Sequence, residues 1–274
     1  LSSSSAASDV YKRQPLGFWI QPDCPSCCRW CLAAKSRGVA FTPFRGPVDG
    51  FELDHSGCEC FGFADMTGRF IVLDGIDGCG KSTQIRHLAQ WLPSSGLMPP
   101  TAELICTREP GGTRLGQSIR ELLLDTDADQ VPSVTAELLL YAADRAQHVD
   151  TVIRPALLRG DWVLSDRFAG STLAYQGYGR GLDRQLIKRL ESIASTGLEP
   201  DLTAWLRVPV EVSLQRRHGE KEDRIEAEGR AFLHRVSDGF AVLAEQRNWY
   251  QIDAQLPVSK LSQELEQTLR ETLQ

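Results

Sequence analysis

The run Gly75-Ile76-Asp77-Gly78-Cys79-Gly80-Lys81-Ser82 fits G-x-x-x-x-G-K-[ST], and it stands between the two elements that pattern requires. Phe70-Ile71-Val72-Leu73 leads into it as an unbroken apolar segment, the pattern of a parallel strand buried on both faces. Beyond it, Ile85, Leu88, Ala89 and Leu92 recur at helical spacing. Strand, glycine loop and helix commit this stretch to an α/β unit with a phosphate cradle at the turn. Gly75, Gly78 and Gly80 let backbone N–H groups, through Cys79 to Thr83, curl round an anion, and the helix start adds its positive dipole end. Lys81 supplies a point charge for the outer phosphates and Ser82 a hydroxyl for Mg2+. A glycine-rich turn without a ligand is the bland alternative, and the flanking strand and helix argue against it. The stretch implies a nucleoside triphosphate site.

Apolar strand candidates then alternate with helical patterns. The strands are 70–74, 102–107, 162–166, 202–208 and 249–253, and the helices lie near 82–91, 116–124, 135–159, 184–195, 227–244 and 259–273. Such alternation predicts a parallel sheet covered on both faces, with ligands at the carboxyl ends of its strands. The chain has 274 residues, 42% of them hydrophobic, which is ample for one globular core. A formal charge of −6 argues against a general nucleic-acid binder, and no apolar run approaches the ~18 residues of a membrane span.

Cysteine usage is lopsided. Cys24, Cys27, Cys28, Cys31, Cys58 and Cys60 precede residue 61, leaving Cys79 and Cys106 in the rest, which suits a reduced, cytoplasmic enzyme. Met66 lies four residues before the first strand. Upstream, residues 1–14 are rich in serine and alanine and resemble translated adapter sequence, while 15–65 show no sustained periodicity. Residues 1–65 are therefore expected to be a non-native or disordered extension, and 66–274 the working domain. The rival reading is a zinc site on the clustered thiolates. It is weakened by overlapping C-x-x-C pairs and a single-residue spacing between Cys58 and Cys60.

Two arginines stand on the rim that carries the phosphate loop. The strand at 102–107 runs into Arg108-Glu109-Pro110-Gly111-Gly112, and that at 162–166 ends in Asp166-Arg167-Phe168. A lone strand-end arginine is often a surface ion pair; two beside a phosphate loop favour anion clamps. Asp166 follows an apolar run, as the Mg2+-holding acid does in many phosphate-loop proteins. Tyr141 and Arg145 are four apart and share a helix face, which fits a ring to stack on a base and a guanidinium to bond its carbonyl. A core tyrosine beside a surface arginine fits that spacing equally well. Ser171, Thr172, Tyr175 and Gln176 cluster at one helical turn and suit a sugar and base, or else ordinary capping. The charge run at 216–224, with Arg217 and Arg224, is either a solvated face or a mobile segment that closes over phosphates.

In combination these motifs resemble thymidylate kinase across 66–274: the phosphate loop with Thr83, Thr107-Arg108-Glu109-Pro110-Gly111-Gly112-Thr113, Tyr141-Ala142-Ala143-Asp144-Arg145, Asp166-Arg167-Phe168 with Tyr175-Gln176-Gly177, and Asp223-Arg224-Ile225-Glu226. The resemblance implies the P-loop NTPase fold, a five-stranded parallel sheet with helices on both faces and a mobile lid, and usually a homodimer. It implies ATP with Mg2+ as phosphoryl donor and dTMP as acceptor, giving dTDP for dTTP synthesis. Carried over by position, Asp77 approaches the acceptor sugar and phosphate, and Arg108 and Arg167 clamp that phosphate. Tyr141 stacks on thymine, Arg145 bonds its O4, Thr172 faces the base, and Tyr175 lies under the sugar and disfavours a 2'-hydroxyl. Some members carry an arginine inside the loop where this chain has Gly78, which implies the bacterial type with a catalytic arginine from the lid, Arg217 or Arg224.

A phosphate monoester has its second pKa near ~6, so this acceptor needs no general base at neutral pH. A nucleoside kinase would need a carboxylate base and have less use for two arginine clamps. A GTP-dependent switch would need N-K-x-D, which the sequence lacks.

Overall fold

The computed structural model describes residues 68–125, 131–218, 224–225 and 228–273. All belong to the second of the chain's two units, Cys60–Gln274. Met66, the extension 1–65 and its six cysteines lie outside the described residues, as do Asp223 and Glu226.

Five strands form one parallel sheet: β1 (Phe70–Asp74), β2 (Leu104–Arg108), β3 (Trp162–Asp166), β4 (Leu202–Arg207) and β5 (Tyr250–Asp253), in the order β2-β3-β1-β4-β5. The chain leaves β1 for the far place occupied by β2, returns to β3, then crosses β1 to reach β4. The crevice at the carboxyl end of β1 is therefore the place where strand order reverses, and such crevices take ligands.

β1 explains its own unbroken hydrophobicity. Ile71 and Leu73 enter one core with Leu88, Ala204, Leu206, Phe240 and Leu265, while Phe70 and Val72 enter a second with Val163, Ile153, Leu157 and Phe168. Each face is covered, so no position faces water. Burying side chains of this size stabilises by about 1.5–3 kcal/mol apiece.

The helices are α1 (Lys81–Trp91), α2 (Arg114–Leu124), α3 (Val134–His148), α4 (Arg154–Leu158), α5 (Ala169–Thr172), α6 (Arg184–Ser195), α7 (Val210–Arg216), α8 (Arg230–Gln246) and α9 (Val258–Leu273). The single helix expected at 135–159 is α3 and α4 joined by a π-helical stretch, Val149–Ile153. Pro155 has no N–H to give the preceding turn and its ring crowds it, so the helix widens just before it. The strand expected from 102 starts at Leu104, because Ala102 is spent in a turn, its N–H donating to Pro99 O at 3.0 Å. Residues 169–179 are helical throughout, π-helical over Leu173–Gly179, and α7 occupies ground that reads from sequence only as the approach to a charge run. Among the described residues no helix is long and apolar enough to cross a membrane.

Candidate active site

The phosphate loop turns from β1 into α1, with Gly80 at φ 102 as the residue before the helix, a conformation that L side chains rarely adopt. Lys81 is buried, and its Nζ donates to Gly75 O at 3.0 Å and Ile76 O at 3.1 Å, which holds the ammonium under the loop. Ser82 and Thr83 line the mouth of a cavity of about 540 Å3 with Arg108, Asp166, Arg167 and Arg217. α7 packs onto the loop's far side, where Ser213 Oγ donates to Asp77 O at 2.5 Å. Gly78 carries that approach. A Cβ there would lie 2.8 Å from Ser213 O and 3.0 Å from Arg217 Cγ, so the stem of Arg217 occupies the space a loop side chain would need. Cys79 is fully buried, and burial pushes its thiol up, which keeps it an unreactive packing group.

Arg167 organises the junction. Its backbone is left-handed, φ 71, and Ser165 Oγ donates to its carbonyl at 2.8 Å, supporting a turn that an arginine would otherwise avoid. That turn sends the guanidinium back over the loop, where it donates to Gly75 O at 2.8 Å, Ser171 Oγ at 3.0 Å, the Asp77 carboxylate and Tyr175 Oη at 3.2 Å. It also stacks 5.1 Å from the centre of the Tyr175 ring. Tyr175 Oη donates in turn to Asp77 Oδ2 at 2.8 Å. Burial alone would raise the Asp77 carboxyl, but Arg167 and Lys81 outweigh it and hold the group well below the usual carboxylate range. Ser171 Oγ donates to Asp74 Oδ1 at 2.6 Å, so this hydroxyl supports the end of β1 as well as Arg167.

A narrower cleft opens on the other side of Arg167, walled by Tyr141, Arg145, Phe168, Thr172, Tyr175 and Gln176. Arg145 is buried against Phe168, its Cζ 5.4 Å from the ring centre. Its Nε donates to Glu109 Oε2 and its Nη2 to Thr172 Oγ1, each at 2.9 Å. Glu109 Oε1 lies 3.0 Å from His148 Nδ1, and His148 Nε2 lies 2.7 Å from Thr107 Oγ1. A carboxylate only accepts, so Nδ1 carries the proton, and in the neutral ring Nε2 accepts from Thr107. Beside them Asp144 accepts from Gly111 N at 3.1 Å, and burial, then the charge of Glu109, pushes its carboxyl up to about 6.

The thymidylate kinase family model matches residues 73–265, about 70% of the chain. The chain is 93% identical over 209 residues to the thymidylate kinase of Synechococcus sp. (strain CC9902), covering 76% of this chain and all of that one. It is 69% identical over 208 residues to that of strain CC9605, again covering all of the relative, and 63% identical over 205 residues to that of Prochlorococcus marinus (strain MIT 9313), covering 95% of it. The chain belongs to the thymidylate kinase family. Its parallel sheet of order β2-β3-β1-β4-β5 is the P-loop NTPase fold of that family.

Set out on this fold, the residues singled out in the sequence fall into two neighbouring groups. Cys79, Gly80, Lys81, Ser82, Thr83, Arg108, Asp166 and Arg217 line the larger cavity; Tyr141, Arg145, Ser171, Thr172, Tyr175 and Gln176 line the cleft. Asp77, Glu109 and Arg167 line both. Arg224 lines neither: its Nη2 donates to the buried Glu137 at 2.6 Å and its Nε to Leu123 O at 2.8 Å. Tyr141 and Arg145 do share a face, yet it is Phe168 that Arg145 stacks upon. His148, Glu137, Arg120 and the apolar end formed by Leu256, Val258 and Leu261 belong to no motif in the sequence and come to the site only in the fold. One signal was available, since Glu137 stands four residues before Tyr141 and eight before Arg145 on the same helix.

The residues present fit a Mg2+ ion at the larger cavity. Asp166 Oδ1 is buried without a hydrogen-bond partner among the described residues, and the Ser82 hydroxyl lines the same space. No group of three or more His, Cys, Asp or Glu that could cage a metal occurs among the described residues. One carboxylate and one hydroxyl suit a Mg2+ that keeps water and phosphate oxygens as its other ligands.

Proposed function

We propose that the thymidylate kinase reaction, ATP and dTMP giving ADP and dTDP on the way to dTTP, runs at the junction of the two cavities. The observation that carries this reading is that Asp77 and Arg167, bonded to each other, line both spaces. Two polyanions meeting there would share one arginine wall. The phosphate loop from Gly75 to Thr83 takes the donor's phosphates through its N–H groups, and Lys81 balances their outer charge. Ser82 and Asp166 hold Mg2+, which neutralises phosphate oxygens when bound. Arg108 and Arg167 clamp the acceptor phosphate, and Arg145, held flat by Glu109 and Thr172, presents a guanidinium edge to a base carbonyl.

The acceptor is an ionised phosphate, so the protein's tasks are alignment and charge neutralisation. Arg217, seated over Gly78, is positioned to meet charge spreading onto the transferred group. The adenine lies toward Gln84, Leu256, Val258 and Leu261, where Arg216 is steadied by Ala254 O at 2.8 Å. The test is ADP release with Mg2+–ATP and a panel of nucleoside monophosphates. dTMP should be strongly preferred, with ribonucleotides rejected by crowding at Tyr175; UMP or CMP used as well as dTMP would break the acceptor assignment.

The working domain is 66–274, a reading supported by the 209 residues over which the chain matches the whole of the Synechococcus CC9902 thymidylate kinase, the same length as that segment. A homodimer is supported by large apolar side chains exposed on three neighbouring helices, Leu122 on α2, Leu139 on α3 and Ile193 on α6. Light scattering at twice the chain mass would bear on it directly. A cytoplasmic setting is supported by the two free cysteines among the described residues, Cys79 and Cys106.

A further inference from the structure

Glu137 is fully buried on α3, and no step described above uses it. Its carboxylate accepts four hydrogen bonds from side chains outside its own helix. Gln176 Nε2 and Arg180 Nε donate to Oε1, each at 2.8 Å; Arg180 Nη2 donates to Oε2 at 2.9 Å and Arg224 Nη2 at 2.6 Å. Burial by itself would raise this carboxyl, but the three donors outweigh it and lower it instead. A buried carboxylate satisfied this fully holds its partners firmly, because pulling one away strands charge in a low-dielectric place.

What those partners carry is the acceptor cleft. Gln176 is one of its walls, and Tyr141 and Arg145 stand one and two turns further along Glu137's own helix. Arg224 caps the end of α2 through Leu123 O at 2.8 Å, and its neighbour Ile225, 4% exposed, faces the cleft beside Leu124 and Tyr175. Arg180 continues to Glu228 at 2.6 Å, just ahead of α8. Arg217, by contrast, lies over Gly78 on the phosphate side. The two arginines nominated from the same charge run thus sit on different substrates' ground.

We propose that Glu137 is a positioning residue of the acceptor site: through Arg224 it seats Ile225 against the nucleoside, and through Gln176 and Arg180 it fixes the adjoining wall. Arg224 then serves dTMP binding, and Arg217 serves phosphoryl transfer. The inference rests on the assignment of the narrower cleft to the acceptor.

The experiment uses the full chain and compares Arg224→Ala, Arg224→Lys, Glu137→Gln, Arg217→Ala and the Glu137→Gln/Arg224→Ala pair, reading kcat, KM for each substrate and calorimetric dTMP affinity. Arg224→Ala should raise Kd and KM for dTMP about 10-fold or more while kcat at saturating dTMP stays within about 3-fold and ATP affinity is unchanged. Arg224→Lys should recover part of the loss, and the double variant should be little worse than the poorer single. A large fall in kcat with normal dTMP affinity in Arg224→Ala would overturn the proposal and put that charge on the transferred phosphoryl group. Additive losses in the double variant would overturn the link through Glu137. If Glu137→Gln does not fold, Glu137→Asp, which keeps the charge and shortens its reach, takes its place alone and paired with Arg224→Ala, with the same outcomes deciding. Failure of the underlying reading looks different: the wild-type chain itself would then not prefer dTMP over other monophosphates.

Discussion

The phosphate-loop cavity and the narrower cleft, which we propose as donor and acceptor sites, share a wall and are built in opposite ways. The phosphate loop is one contiguous run whose function lies in the backbone, with glycine angles and a helix start doing what no side chain could. The narrower cleft draws on residues after β2, along α3, after β3 and at Ile225, and buried charged side chains build and back its walls. Arg145, Glu109, His148 and Glu137 are each almost wholly removed from water and tied to one another or to neighbours in a chain of bonds. The lesson is one of fragility. A backbone cradle tolerates change around it as long as its glycines remain, whereas a buried polar network loses its geometry when any member is removed.

The sharpest way to break that contrast is Arg217→Ala, which should cost turnover and little else. A guanidinium stabilising the transferred phosphoryl is worth roughly 10³–10⁵ in rate, so kcat should fall by about that order with dTMP affinity retained. Near-normal kcat would remove Arg217 from the reaction. Next in size is Arg167→Ala, measured by calorimetry with each substrate. Loss of charge-assisted bonds to phosphate should weaken dTMP binding by about 1.5–3 kcal/mol and leave ATP nearly untouched. An equal loss for ATP would move Arg167 to the donor side of the wall.

The pH response of the acceptor-side network offers a smaller effect. Asp144, buried beside Glu109, titrates near 6 in the folded chain, above the ordinary aspartate value near ~4. The folded state therefore keeps a proton that the unfolded state has released. This contributes stability that is lost as pH rises through about 6. Between pH 5 and 7 the loss is about 1 kcal/mol. Asp144→Asn keeps an acceptor for Gly111 N and has no proton to lose, so its stability relative to wild type should climb across that interval. Parallel denaturation midpoints for the two chains from pH 5 to 7 would contradict the raised carboxyl.

The smallest expected change is none. A chain beginning at Met66 should keep its dTMP kinase rate, ATP affinity and cooperative melt. Loss of these on truncation, coupled to a zinc requirement in the full chain, would make residues 1–65 a metal-binding domain.

Much of the fold was legible because β1 and its loop announce themselves locally: four apolar residues, then glycines at a spacing set by one phosphate. The five strands were found within two residues of their ends; β1, β3 and β4 are buried along nearly their whole length, while the edge strands β2 and β5 are partly exposed. α7 was not found. Its seven residues mix apolar and charged positions too briefly to show a period, and what fixes it is Ser213 bonding Asp77 O.

The sequence by itself determined the α/β class, the phosphate cradle and the family, since each rests on spacing along the chain or on motifs read in order. Tertiary structure alone decided where each arginine of the charge run lies. Arg217 and Arg224 are seven residues apart in one charge run, yet one packs over Gly78 and the other bonds a carboxylate behind the acceptor cleft. Charge is a property of the residue and can be read from the sequence. A charged group's role depends on which buried partner offsets its desolvation, and that partner, Glu137, lies 87 residues away along the chain.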